Sequence, residues 1–124
     1  MATCAARNVP VYLFSNAPLT WCLPVAYRLR LSEYNVISAN VDEKVMKPHA
    51  EMYDKAYEYV CKTSSLFCPR AIFVDDSMTN LLAVRDKELW TPLHFAVYNQ
   101  GVPNVKTIYS FNQLAAIVGY MTNN

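Results

Sequence analysis

Short apolar runs alternate with segments of helical period along most of this chain, and that alternation constrains the fold more than any other feature. Val9 to Phe14 is nearly continuously apolar and ends in Ser15-Asn16, as a strand buried on both faces does. From Pro18 to Leu31, Leu19, Cys22, Leu23, Ala26, Leu29 and Leu31 recur at helical spacing, with Asn16 placed to cap the start and Pro24 expected to kink the helix or mark its first turn. Tyr34 to Val41 reads as a second strand around Val36 and Ile37. The next helix opens with Pro48 at its first position and carries Met52, Ala56, Tyr57 and Val60 on one face, which puts Lys47 at a helix N-terminus. Thr63 to Pro69 is a turn, Arg70 to Val74 a third buried strand, and Asp75 to Asn80 a loop into a helix running to about Asp86. Leu93 to Tyr98 supplies a fourth strand, Gln100 to Pro103 punctuates, and Ser110 to Tyr120 is a last helix with Leu114, Ile117 and Val118 on one face.

Strand and helix in alternation predict an α/β, Rossmann-like parallel sheet with right-handed crossovers and helices on both faces. With 124 residues and no linker or internal repeat, one domain spanning 1–124 is expected. In such sheets ligands bind beyond the carboxyl ends of the strands. Ser15, Asn16, Lys47, Asp75 and Asp76 are all predicted at that edge.

Composition narrows the function classes. Hydrophobic residues make up 53% and charged residues 17%, below the ~25% usual for globular chains, so part of the surface is expected to be covered by another protein chain. A formal net charge of +1 and the lack of a basic stripe argue against nucleic acid as a partner. No apolar run reaches the ~18 residues of a membrane span, and Met1 to Pro10 resembles neither a signal nor a transit peptide. Cys4, Cys22, Cys61 and Cys68 form no Cys-x-x-Cys pair and fit a reducing intracellular compartment, cytoplasm or organelle matrix, as small apolar groups. His49 and His94 complete no zinc pattern and no nucleophile motif.

Helix N-termini after Ser15 and Lys47 favour an anion, and a phosphate suits both. The Ser15 hydroxyl and Asn16 amide are candidate phosphate donors, with Lys47 offsetting negative charge during transfer. Taken singly, Ser15 and Asn16 read more simply as helix caps and Lys47 as a solvated lysine. Asp75 and Asp76 are harder to explain without a cation or donors, because adjacent carboxylates after an apolar strand repel each other and are costly to desolvate. Mg²⁺ accepts one or two protein carboxylates and keeps several waters. Adjacent side chains diverge at a strand end, so one aspartate would be the ligand and the other, with Asn80, a support. Asp42, Glu43 and Lys44 read as a solvated loop, and Tyr53, Tyr57 and Phe73 as packing.

Together, Ser15-Asn16, Lys47-Pro48-His49-Ala50-Glu51-Met52-Tyr53 and Phe73-Val74-Asp75-Asp76-Ser77-Met78-Thr79-Asn80-Leu81 resemble the haloacid dehalogenase superfamily of mostly Mg²⁺-dependent phosphatases, over Val11 to Gly119. Trp90 to Phe95 and Ile108 to Leu114 resemble its following strand and closing helix. The resemblance implies that Ser15 and Asn16 bind the phosphoryl group and Lys47 stabilises an aspartyl-phosphate. It makes Asp76 the metal ligand, with Asp75 and Asn80 supporting it. The family's first motif, Asp-x-Asp-x-Thr or Ser, is missing together with the cap, since the first acidic residue is Glu33. Without that nucleophile no covalent intermediate forms, and Mg²⁺ would bind weakly or not at all to the chain alone.

The family's first strand is central, so the expected sheet is incomplete between Val9–Phe14 and Arg70–Val74, and a partner chain is expected to dock there. Two functions follow from the resemblance. One is a non-catalytic structural or interaction subunit, a pseudoenzyme. The other is the C-terminal half of a split Mg²⁺-dependent phosphatase whose Asp-x-Asp strand comes from another chain.

Overall fold

The computed structural model of the chain describes Cys4 and residues 8–38, 46–67 and 69–122. Asp42 to Lys44, Cys68 and residues 39–41 of the expected second strand lie outside these. The chain divides into two compact units, one spanning Val11–Pro69 and the other built on the residues from Arg70 onward with the described residues before Val11.

The Val11–Pro69 unit contains strand β1 (Leu13–Ser15), helix α1 (Leu19–Arg28), a 3₁₀ turn (Glu33–Asn35), strand β2 (Val36–Ser38) and helix α2 (Ala50–Ser64). β1 and β2 are parallel, with Leu13 opposite Val36, Phe14 opposite Ile37 and Ser15 opposite Ser38. Successive strand side chains point to opposite faces. Leu13 accordingly packs with Val36 against Cys22, Ala26, Leu23 and Leu31, whereas the Phe14 ring meets Tyr53 of α2 edge-on at 5.8 Å. The two helices therefore cover opposite faces of this sheet. Tyr12 Oη lies 2.6 Å from Thr63 Oγ1 and Tyr59 Oη donates to the Tyr34 carbonyl at 2.6 Å, which anchors the last turns of α2.

The second unit contains strand β3 (Ala71–Asp75), helix α3 (Met78–Leu82), strands β4 (Trp90–Phe95) and β5 (Lys106–Ile108), and helix α4 (Phe111–Thr122). Its sheet has the order β3-β4-β5 and is parallel throughout. Phe73, Leu81, Val84, Leu93, Val105, Ile108 and Val118 are buried. α3 packs on β3 and β4 and α4 on β5, with the Phe95 and Phe111 rings 5.0 Å apart. The chain is thus α/β, with parallel sheets flanked by helices in a Rossmann-like arrangement. Among the described residues, no sheet contains both β1 and β3.

Several expected boundaries are corrected. The first strand is Leu13–Ser15 rather than Val9–Phe14, and the Val11 carbonyl accepts a hydrogen bond from the Asn35 side chain instead of a strand partner. Tyr34 belongs to the 3₁₀ turn, which Ser32 caps by accepting from the Tyr34 amide. α1 ends at Arg28, because Arg30 takes φ 59° and the Leu31 amide folds back onto the Ala26 carbonyl at 2.9 Å, placing Leu31 in the core. Pro24 lies inside that helix. α3 stops at Leu82, after which amides at Val84, Arg85 and Lys87 bond three residues back as turns that set Val84 into the core.

The fourth strand is Trp90–Phe95, not Leu93–Tyr98. Pro92 is tolerated there because β5 joins only from Leu93, so at Pro92 the strand has a single neighbour and can spare one N–H. Val97 and Tyr98 have strand-like chemistry but are exposed after the chain leaves the sheet. β5 escaped the sequence reading altogether, being three residues long beyond turns at Gly101 and Asn104, both at positive φ.

Candidate functional site

At the end of β1, Ser15 Oγ accepts from the Ala17 amide at 3.0 Å and so turns the chain toward α1. Asn16 does not provide the cap that the sequence predicts: the capping residue is Pro18, with no side-chain bond. Its amide is used across the unit instead. Asn16 Nδ2 donates to the Lys47 carbonyl at 3.0 Å, and the Lys47 amide donates to Asn16 Oδ1 at 2.8 Å. Lys47 in turn is only 8% exposed, not solvated. Its Nζ donates to the Phe14 carbonyl at 2.9 Å and stands 4.7 Å from the centre of the Phe14 ring.

Lys47 is also not at the helix N-terminus. α2 begins at Ala50, after a cis Lys47–Pro48 peptide and His49 in the cap position. The reason is that Asn16 holds both backbone groups of Lys47, which removes that residue from the helical ladder. Ser15, Asn16 and Lys47 are nevertheless brought together at the end of β1.

At the end of β3, Asp75 Oδ1 accepts from the Ser77 amide at 2.9 Å and Oδ2 from Asn80 Nδ2 at 3.2 Å, while Ser77 Oγ caps α3 by accepting from the Asn80 amide. Asp75 and Asn80 therefore brace the turn that carries Asp76. Asp76 is exposed, and its carbonyl lies 3.1 Å from His94 Nε2. His94 is 2% exposed and faces Asp75 across the β3–β4 pairing. No motif marks His94 in the sequence; its place emerges only from that register.

Both groups stand at the carboxyl end of a parallel strand, Ser15 closing β1 and Asp75 closing β3. Ser15, Asn16 and Lys47 belong to the first unit, and Asp75, Asp76 and Asn80 to the second. As for metal, Asp75 already accepts from two protein donors, leaving Asp76 as the exposed carboxylate of the pair. Among the described residues no group of three or more His, Cys, Asp or Glu could hold a metal ion. No helix among the described residues is long and apolar enough to cross a membrane.

No family model, curated protein or solved structure matches the chain. What fold and residues define is a small α/β domain of Rossmann-like arrangement with polar residues grouped at the carboxyl ends of its strands.

Proposed function

We propose that these residues form a haloacid dehalogenase-like module without phosphoryl-transfer activity of its own, serving as a structural or interaction subunit of a larger assembly. The observation that carries this reading is the strand order: β1 is paired with β2 in one sheet and β3 with β4 in the other. The resemblance assigns the family's first strand to a place beside β1 and β3. A strand supplied by another polypeptide would gain ladder hydrogen bonds at such an edge. Lys47, donating to a β1 carbonyl, has a structural use that needs no substrate. Trp21 and Tyr27, 72% and 84% exposed on α1, add apolar surface suited to an assembly.

A second reading is favoured by the position of both polar groups at carboxyl strand ends. Here a separate chain brings the Asp-x-Asp strand. Lys47 would then offset charge on the phosphorylated aspartate, Ser15 and Asn16 would contact the phosphoryl group, and Asp76 would bind Mg²⁺ with Asp75 and Asn80 behind it.

Hydrogen exchange tests the shared premise. In the isolated chain, amides of β1 and β3 that face away from β2 and β4 should exchange fast, and slow when a co-purified partner is added back. Strong protection of both strands in a monomeric chain would remove the argument for a partner. Asp76→Ala, at an exposed side chain, separates the readings, since it should abolish partner-restored turnover in the second and leave assembly intact in the first.

A further inference from the structure

Two residues on neighbouring strands of the second unit each carry a buried polar atom without a hydrogen-bond partner among the described residues. These atoms are His94 Nδ1 and Thr107 Oγ1, and the two residues are 2% and 8% exposed. They are register partners on β4 and β5, so both side chains project from the same face of the sheet. Asp75 is the register partner of His94 on the other side, so the three residues form one row across the carboxyl ends of three strands.

The chemistry of the row restricts what completes it. A carbonyl oxygen only accepts, so the 3.1 Å contact between His94 Nε2 and the Asp76 carbonyl places a proton on Nε2. In the neutral ring Nδ1 is then a bare acceptor that requires a donor. Thr107 Oγ1 can donate and accept, yet the two side chains make no direct bond. Adjacent strands are about 4.8 Å apart, and two hydrogen bonds of about 2.8 Å meeting at one small molecule span nearly that distance.

We propose that His94 Nδ1 and Thr107 Oγ1 form a binding site for one small neutral molecule that both donates and accepts hydrogen bonds, and that its occupant is a long-lived water. The water donates to His94 Nδ1 and completes the hydrogen bonding of Thr107 Oγ1, as buried waters do between otherwise unsatisfied groups. Its effect reaches the loop: with Nδ1 held as an acceptor, Nε2–H is kept on the Asp76 carbonyl, so β5 helps to position the paired aspartates. His94 is a positioning residue in this arrangement. The water site rests on the hydrogen-bond geometry of the second unit and stands whether or not the phosphatase-like reading does.

The test is oxygen-17 relaxation dispersion of water in solutions of the whole chain, which counts waters held for longer than the protein tumbles. Thr107→Val, close in shape but without the hydroxyl, should lose the contribution of one such water, and Thr107→Ser should restore it. Nitrogen-15 spectra of His94 in the unmodified chain should show Nδ1 unprotonated and Nε2 protonated. An equal number of long-lived waters in the unmodified chain and Thr107→Val overturns the proposal. So does a proton on Nδ1 with none on Nε2, a measurement that needs no variant and holds even if Thr107→Val fails to fold.

Discussion

Asn16 and Lys47 hold each other by two hydrogen bonds of opposite sense, the Asn16 side chain taking both the N–H and the C=O of Lys47. A side-chain amide thus does for one residue what a neighbouring strand does for a ladder. The bond pair ties the end of β1 to the approach to α2, and it fixes where the Lys47 side chain starts on its path to the Phe14 carbonyl.

Asn16→Ala removes both partners from part-buried backbone groups. We expect a loss of about 1–3 kcal/mol of stability, the usual cost of stranding such groups. Denaturant unfolding reads it directly, and an unchanged midpoint would show that water replaces the amide at no cost.

The adjacent aspartates should separate by measurement. Asp75→Ala deprives the Ser77 amide and Asn80 of their acceptor and should cost about 0.5–2 kcal/mol, in the range of a lost cap. Asp76→Ala, at an exposed side chain, should stay within about 0.5 kcal/mol of the unmodified chain. Equal losses would contradict the assignment of Asp75 as the structural member of the pair.

Tyr53 is fully buried on α2 and meets the Phe14 ring edge-on. Truncating a buried aromatic side chain of this kind to alanine costs about 3–5 kcal/mol. Tyr53→Ala should therefore unfold at a far lower temperature, while Tyr27→Ala, at an exposed position, should leave the melting curve nearly in place.

Under the proposed haloacid dehalogenase-like reading, the chain assayed alone with Mg²⁺ on small phosphate monoesters should show no turnover above that of Asp76→Ala, since residues 1–32 hold no Asp or Glu to serve as that reading's nucleophile. Trapping a phosphorylated Asp75 or Asp76 would refute this.

Periodicity and strand chemistry in the sequence determined the alternation of strands and helices apart from β5, and the buried face of α2 at Met52 and Ala56, because each is set within a few residues of itself, while β1 and β3 run one residue further than read, to Ser15 and Asp75. Asp75 and Asn80, five residues apart, read from the sequence as supports of the same loop, and they are hydrogen-bonded to each other. Tertiary structure alone decided the rest. Asn16 looked like a helix cap until Lys47, distant in sequence, offered it two backbone groups. Lys47 looked solvated until Phe14 supplied a carbonyl and a ring face. β5 is too short to declare itself without β4 beside it, and His94 acquires its contacts only through the register that sets it opposite Asp75 and Thr107. A polar side chain goes to whichever partner satisfies it once water is excluded, and that partner is chosen by the packing of distant segments rather than by sequence neighbours.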